Sequence, residues 1–104
     1  MVLENFVRLK RDTEKVMRFR PGSFHVEDVT ITDPKTKLPK RVRRAVVDVV
    51  EEDYRPVVKT FSTLAEKLAV QLAQLHDTGE LYRYRVGVTW HPQDLATEYT
   101  VRIF

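Results

Sequence analysis

The sequence predicts a single β-rich domain, residues 1–104, with its elements in the order β-β-β-α-β-β. Three observations predict it: runs of valine or of alternating apolar residues that are typical of strands, one stretch with helical spacing, and turn residues between them. A chain of 104 residues can bury a core without a metal or disulfides, and it is too short for two ordinary domains.

The helix is predicted over residues 63 to about 76, where apolar residues recur every three or four positions. Thr63, followed three residues later by Glu66, fits a capping box, and Gly79 stands where a left-handed residue would end the helix. The apolar stripe consists of Leu64, Ala65, Leu68, Ala69, Leu72 and Leu75.

Three strands are predicted before the helix, and the first of them is long and bent. It covers residues 16–32, with a Pro-Gly bend at residues 21–22. Its apolar residues move from even to odd positions near Glu27 and Asp28, which predicts a bulge there. Residues 41–51 and 57–61 complete a three-stranded meander.

The two strands after the helix, residues 81–90 and 97–103, are predicted to pair as a hairpin around a loop at residues 91–96. Both strands alternate apolar and polar residues. Residues 1–14 either add a short strand or hang loosely beside the core, which covers residues 16–104.

Charge is concentrated in residues 35–44, which we call the basic segment. It carries six Lys or Arg and no acid, whereas the chain as a whole nets only +3, so the rest of the chain is net acidic. Because it lies between two predicted strands, the basic segment is expected to form a projecting cationic loop. A local patch of this kind favours an anionic partner.

The order of elements resembles that of the OB-fold over residues 16–104. The resemblance rests on element order and bulge position, since OB-folds have no specific sequence signature, and it implies a small barrel. An open, curved antiparallel sheet with the helix packed on one face is the α+β alternative. OB-folds bind oligonucleotides and oligosaccharides on their second and third strands and adjoining loops. The resemblance places the basic segment and residues 91–96 in those loops.

The function predicted on this basis is binding of single-stranded nucleic acid, DNA or RNA, with DNA favoured and little sequence preference. Lys and Arg would neutralise phosphates, and exposed aromatic rings would stack on bases. A solvated hairpin tip whose lysines prevent edge pairing is the other interpretation of the lysines. The candidate residues are Lys35, Lys37, Lys40, Arg41, Arg43, Arg44, Tyr54, Arg55, Arg83, Arg85 and Trp90.

The candidates outside the basic segment have different expected environments. Tyr54 and Arg55 lie in a turn, where the ring is expected to be exposed. Trp90 ends its predicted strand, so its ring either caps the core or faces a ligand. Arg83 and Arg85 alternate with tyrosines in a predicted strand and would enlarge the positive field.

The alternative function is a protein-interaction or assembly module. In that case the cationic hairpin docks an acidic partner, and the edge formed by residues 97–104 pairs with another chain, which leaves a homodimer open.

Catalysis is not expected. The absence of cysteine excludes a thiolate nucleophile, a Cys-type zinc site and a disulfide scaffold, and it favours a reducing, cytoplasmic location. His25, His76 and His91 have no metal-ligand spacing, and the three glycines form no phosphate-binding loop. We expect no cofactor and no metal. The N-terminus lacks the pattern of a signal peptide and no run reaches transmembrane length, so no membrane association is expected.

Overall fold

One antiparallel sheet and two helices form the domain in a computed structural model, which describes residues 6–92 and 97–104. The strands are β1 (Lys15–Phe19), β2 (His25–Thr32), β3 (Pro39–Glu52), β4 (Arg55–Thr63), β5 (Val86–His91) and β6 (Glu98–Ile103), and the helices are α1 (Glu66–Thr78) and α2 (Glu80–Arg83).

The long strand β3 organises the sheet because three other strands pair with it. On one edge β2 pairs with residues 39–46 of β3, and β1 pairs with residues 49–52. On the other edge β4 pairs with residues 45–52. The strands β1 and β2 therefore lie end to end along the same edge, as the predicted long first strand requires.

The bend between β1 and β2 is fixed by local chemistry. Gly22 adopts a φ of 73°, in the left-handed region that glycine enters without steric cost. Ser23 is buried, its Oγ donates to the Arg20 carbonyl oxygen at 2.6 Å, and the same Oγ accepts from the Asp48 N–H at 3.1 Å. The predicted bend is confirmed. Ser23 bonds to β3 at Asp48, in the gap between the residues of β3 that pair with β2 and those that pair with β1.

The remaining strands extend the sheet on the other side of β1. There β1 pairs with β5, and β5 pairs with β6 in the predicted hairpin. Among the described residues β4 and β6 do not pair with each other, so the sheet is open. Helix α1 contacts both β4 and β6 and packs across the opening. A β-rich domain with a helix on its sheet is therefore confirmed, whereas the closed barrel implied by the OB resemblance is not.

The core lies between α1 and the inner face of the sheet. Leu68 and Leu72 are fully buried on one stripe of α1, in one cluster with Phe61 of β4 and Val47 and Val49 of β3. Burying an aliphatic side chain of this size stabilises a fold by about 1.5 to 3 kcal/mol. Met17, Phe19, Leu81, Val86 and Val88 complete the buried centre.

The two ends of α1 differ from each other in how well the sequence predicts them. Gly79 follows the helix with a φ of 82° and donates its N–H to the His76 carbonyl, which confirms the predicted left-handed end. The predicted capping box is wrong, because Thr63 still belongs to β4 and Ala65 occupies the N-cap. The Thr63 hydroxyl instead accepts the Ala65 N–H at 3.0 Å.

The predicted strand over residues 81–90 is wrong in its first half. Residues 80–83 form α2, and β5 begins only at Val86. The left-handed conformation of Gly79 ends α1 and redirects the chain, so that Leu81 becomes fully buried in the core. The alternation that predicted a strand is real only from Val86 onward.

The predicted bulge near Glu27 and Asp28 is also wrong. The ladder between β2 and β3 runs without interruption from His25 to Thr32. The irregularity lies in β3 around Val50, where the registers with both β1 and β4 shift. The change of apolar phase within β2 has another cause, because Val26 faces the opposite side of the sheet from Val29 and is exposed.

The N-terminal segment is neither a full strand nor loose over its described part. Val7 is buried and donates its N–H to the Thr60 carbonyl at 2.9 Å. Two isolated parallel bridges, Phe6 to Thr60 and Arg11 to Trp90, hold the segment against the sheet.

Replacing Leu68 with alanine should lower the free energy of unfolding by about 2 to 5 kcal/mol, because the side chain is fully buried between α1 and the sheet. Urea denaturation followed by circular dichroism measures the loss. The control is Val58→Ala, since Val58 is 92% exposed and its truncation should change stability by less than about 0.5 kcal/mol. Equal effects of the two substitutions would contradict the described packing.

Candidate functional site

The basic segment lies on a two-stranded hairpin that extends beyond the rest of the sheet. Residues 39–44 of β3 pair with β2, whereas pairing with β4 starts only at Ala45. We call this hairpin, residues 27–44, the basic arm. Its turn is ordered by Asp33, whose carboxylate accepts the Lys35 N–H at 2.8 Å and whose carbonyl accepts the Lys37 N–H at 2.7 Å. This is the Asx-type turn chemistry that an Asp-Pro pair favours.

The cations of the basic arm divide into paired and unpaired groups. Arg44 is half-buried and donates from Nε to Glu27 Oε1 at 2.9 Å. The Arg44 guanidinium lowers the pKa of the Glu27 carboxyl by hydrogen bonding to it. Arg41 makes only a long contact, 3.4 Å, with Asp28. Within the described chain no acid pairs with the exposed cations Lys35, Lys37, Lys40 and Arg43.

The two faces of the basic arm carry different cations. Strand alternation puts Arg41 and Arg43 on the inner face, continuous with Val47 and Val49 of the core. Lys40 and Arg44 point to the outer face. The inner face therefore presents two neighbouring guanidinium groups, while the outer face has one of its cations neutralised by Glu27.

Tyr54 and Arg55 lie at the far end of β3 from the basic arm. Asp53 and Tyr54 both have a positive φ, 49° and 68°, and form the tight turn between β3 and β4. Tyr54 is 62% exposed, as predicted for a turn residue. Tyr54 follows Arg41 by 13 residues along β3 and the turn, and at about 3.3 Å per residue that distance is about 40 Å. The predicted candidates therefore form two separate groups.

Arg85 belongs to the group around Tyr54. Its Cζ lies 5.0 Å from the centroid of the Tyr54 ring, and its Nε donates to Glu51 Oε1 at 2.6 Å. This hydrogen bond raises the pKa of Arg85 and lowers the pKa of Glu51. One face of the exposed Tyr54 ring is thus covered by a cation that is itself held in position.

Arg83 does not lie on a strand face, contrary to the sequence prediction. It is exposed on α2, whereas the neighbouring Tyr82 turns inward. The Tyr82 hydroxyl lies 2.6 Å from His76 Nδ1 and accepts the Phe24 N–H at 3.3 Å. The predicted pair of aromatic and cationic faces therefore does not exist, because residues 81–83 are helical.

Trp90 is partly buried and pairs with Tyr99 across the hairpin of β5 and β6. Its carbonyl accepts the Asp12 N–H at 2.8 Å, so the N-terminal segment lies alongside it. Residues 93–96 of the loop predicted at 91–96 lie outside the described residues, so the contribution of that loop stays a prediction.

The sequence interpretation missed one surface next to the basic arm. Val26, Leu64 and Val70 are all exposed and line a groove between the arm and α1. A second apolar stripe on α1, formed by Ala69, Val70 and Ala73 beside the core stripe, was the available signal. Two of its three residues are alanines, whose small side chains give only a weak apolar signal.

Comparison with models of protein families, with curated proteins and with solved structures finds no match to this chain. Residues 6–92 and 97–104 contain no group of three or more His, Asp or Glu side chains arranged to hold a metal ion. No helix in that part of the chain is long and apolar enough to cross a bilayer.

The turn between β3 and β4 should respond to acid through Asp53. Lys15 Nζ lies 2.9 Å from Asp53 Oδ2, and this hydrogen bond lowers the pKa of the carboxyl below its ordinary 3.8. A carboxyl whose pKa is lowered by folding adds stability above its unfolded pKa and loses it as the pH falls through the folded value. The free energy of unfolding should therefore fall below about pH 4, and the Asp53→Asn variant should show a smaller fall.

Urea midpoints between about pH 6 and about pH 2.5 measure this effect. The control is Asp77→Asn, since Asp77 is exposed on α1 and forms no ion pair with a described residue. An acid dependence that is the same in both variants and in the unsubstituted protein would show that Asp53 contributes nothing.

Proposed function

We propose that the chain binds single-stranded nucleic acid through the basic arm, with DNA favoured and little sequence preference. The observation that carries the proposal is a set of exposed cations, Lys35, Lys37, Lys40 and Arg43, that form no ion pair with a described residue and lie on a hairpin extending beyond the rest of the sheet. Each such cation can neutralise a phosphate and release its counterion.

The charge distribution supports a phosphate ligand over a device for solubility. Residues 25–44 hold six cations and three acids, and among those acids Glu27 and Asp28 are each directed at one arginine. Arg41 and Arg43 lie two residues apart on one face, about 6.6 Å along the strand. Two phosphates of one extended strand can therefore contact both guanidinium groups together.

The arrangement of strands supports the same proposal through its likeness to an OB-fold. The bent pair β1 and β2 lies along β3, and β1 also pairs with β5. In an OB-fold the loop after the first strand and the face of the next two strands hold oligonucleotides. On that likeness the basic arm, which includes residues 39–44 of β3, is the binding surface.

Replacing Arg41 and Arg43 together with glutamine should weaken oligonucleotide binding and flatten its salt dependence. About four phosphate contacts give a slope of log K against log salt near −3 for single strands, and losing two contacts should reduce it by about 1.4. Fluorescence anisotropy of a labelled strand of about 20 bases, measured as DNA, RNA and duplex at several salt concentrations, gives these slopes.

The matched control is Arg8→Gln with Arg11→Gln, which removes the same charge from two exposed arginines of the N-terminal segment. An equal loss in both variants would assign binding to net charge alone. Absence of binding at low salt would reject the proposal, and tighter binding to the duplex would reject the preference for single strands.

Tyr54 should contribute only when the nucleic acid is long enough to reach it. Replacing Tyr54 with alanine should cost about 1 to 3 kcal/mol of binding to a strand of about 20 bases and nothing for one of about 6 bases. The reason is the distance of about 40 Å along β3 between Arg41 and the exposed ring. The same anisotropy titration measures both, with Tyr54→Phe as the control that keeps a flat ring. A loss of affinity for the short strand would contradict the division of the contacts into two separate groups.

Assembly with another chain is the second candidate function, and one observation favours it. Among the described residues β6 pairs only with β5, and Ile103 and Phe104 are exposed beside this free edge. A further strand of a partner or of a second copy can pair there. A complex held by apolar edge pairing should be far less sensitive to salt than the nucleic-acid complex.

A further inference from the structure

A groove of about 560 Å³ lies between the basic arm and α1. Val26 and Arg43 line it from the arm, and Leu64, Val70 and Ala73 line it from the helix and the residues that precede it. A volume of this size falls within the range of sites that hold small ligands or a few anchoring side chains.

Three large apolar side chains in the groove are exposed to solvent. Val26 and Leu64 are each 52% exposed, and Val70 is 49% exposed. Single exposed apolar residues are ordinary on a protein surface, but three that converge on one concave site indicate a place where another molecule binds.

Helix α1 contributes a second apolar stripe to this groove. Ala69, Val70 and Ala73 follow one another at helical spacing, beside the buried stripe of Leu68 and Leu72. Alanine side chains leave the helix backbone close to the surface, so another chain can approach closely there. The helix therefore faces the core on one side and an open groove on the other.

The charges at the groove select the chemistry of its occupant. Arg43 lines the arm side and forms no ion pair with a described residue, whereas Arg41, on the same face, contacts Asp28 at 3.4 Å. Glu66 is the acid that lines the helix side. None of the groove-lining residues is aromatic, so the surface lacks the flat rings on which bases stack. An aliphatic floor beside the guanidinium group of Arg43 complements a ligand with apolar side chains and a carboxylate.

We propose that this groove binds a short amphipathic peptide segment of a partner protein, with apolar side chains in the groove and an acidic side chain against Arg43. A second copy of the chain fits less well, because it would bring its own cationic arm toward this one. The proposal goes beyond nucleic-acid binding and does not depend on it, since Leu64, Val70 and Ala73 carry no charge for a phosphate.

Selection of peptides from a random display library on the folded protein tests this directly. We expect the selected sequences to combine Asp or Glu with Leu, Ile, Phe or Met, and a labelled selected peptide to bind in an anisotropy titration. Replacing Leu64 and Val70 together with glutamine should weaken that peptide at least about tenfold, as should Arg43→Gln. The matched control Val58→Gln changes an exposed valine outside the groove and should leave binding unchanged.

The outcomes separate this proposal from the nucleic-acid proposal. The Leu64→Gln and Val70→Gln double variant should keep its full affinity for the single-stranded oligonucleotide, which also shows that it is folded. Absence of selected peptides, selection of peptides without acidic residues, or equal binding by the groove variant would overturn the proposal. A dimer in sedimentation that the groove variant loses would also overturn it, because a second copy would then occupy the groove.

Discussion

The pairing of β3 on both of its edges is the constraint on which the rest of the structure depends. Over residues 45–52 this strand bonds to β4 on one edge and to the end of β2, Ser23 and β1 on the other, so it is paired on both edges where Val47 and Val49 are buried. Over residues 39–44 only β2 accompanies it. The same strand thus contributes to the core and to the exposed arm. The boundary between these two parts is Ala45, where pairing with β4 ends.

This division also sorts the charges of the chain. On the body of the sheet several cations have an acidic partner, as Lys15 has in Asp53 and Arg85 has in Glu51, while Arg18 and Arg55 form no ion pair with a described residue. On the basic arm the register places Glu27 against Arg44 but leaves Lys35, Lys37 and Lys40 with no described acid in reach. Four exposed cations without a described acidic partner, Lys35, Lys37, Lys40 and Arg43, are therefore concentrated on one hairpin, although the net charge of the chain is small.

The sequence predicts those parts of the fold that local chemistry determines. Turn residues and alternation located the meander and the final hairpin, and Gly79 located the end of α1. The start of α1 and the conformation of residues 80–83 depend on tertiary packing. Leu81 can be buried either from a helical turn or from a strand, and no local signal in the sequence distinguishes the two. Likewise the pairing of Arg44 with Glu27 follows from a register across two strands, and the exposure of Val26 follows from where α1 lies.

The bend held by Ser23 has a consequence for how the basic arm meets a ligand. Because the Ser23 hydroxyl bonds to both Arg20 and Asp48, and Arg20 also pairs with Asp48, the arm leaves the sheet in a fixed direction. A preorganised arm loses little conformational freedom when a ligand binds, so more of the interaction energy remains as affinity. The entropy of ordering the arm has already been lost on folding, where the ladder between β2 and β3 and the hydrogen bonds of Ser23 help to offset it.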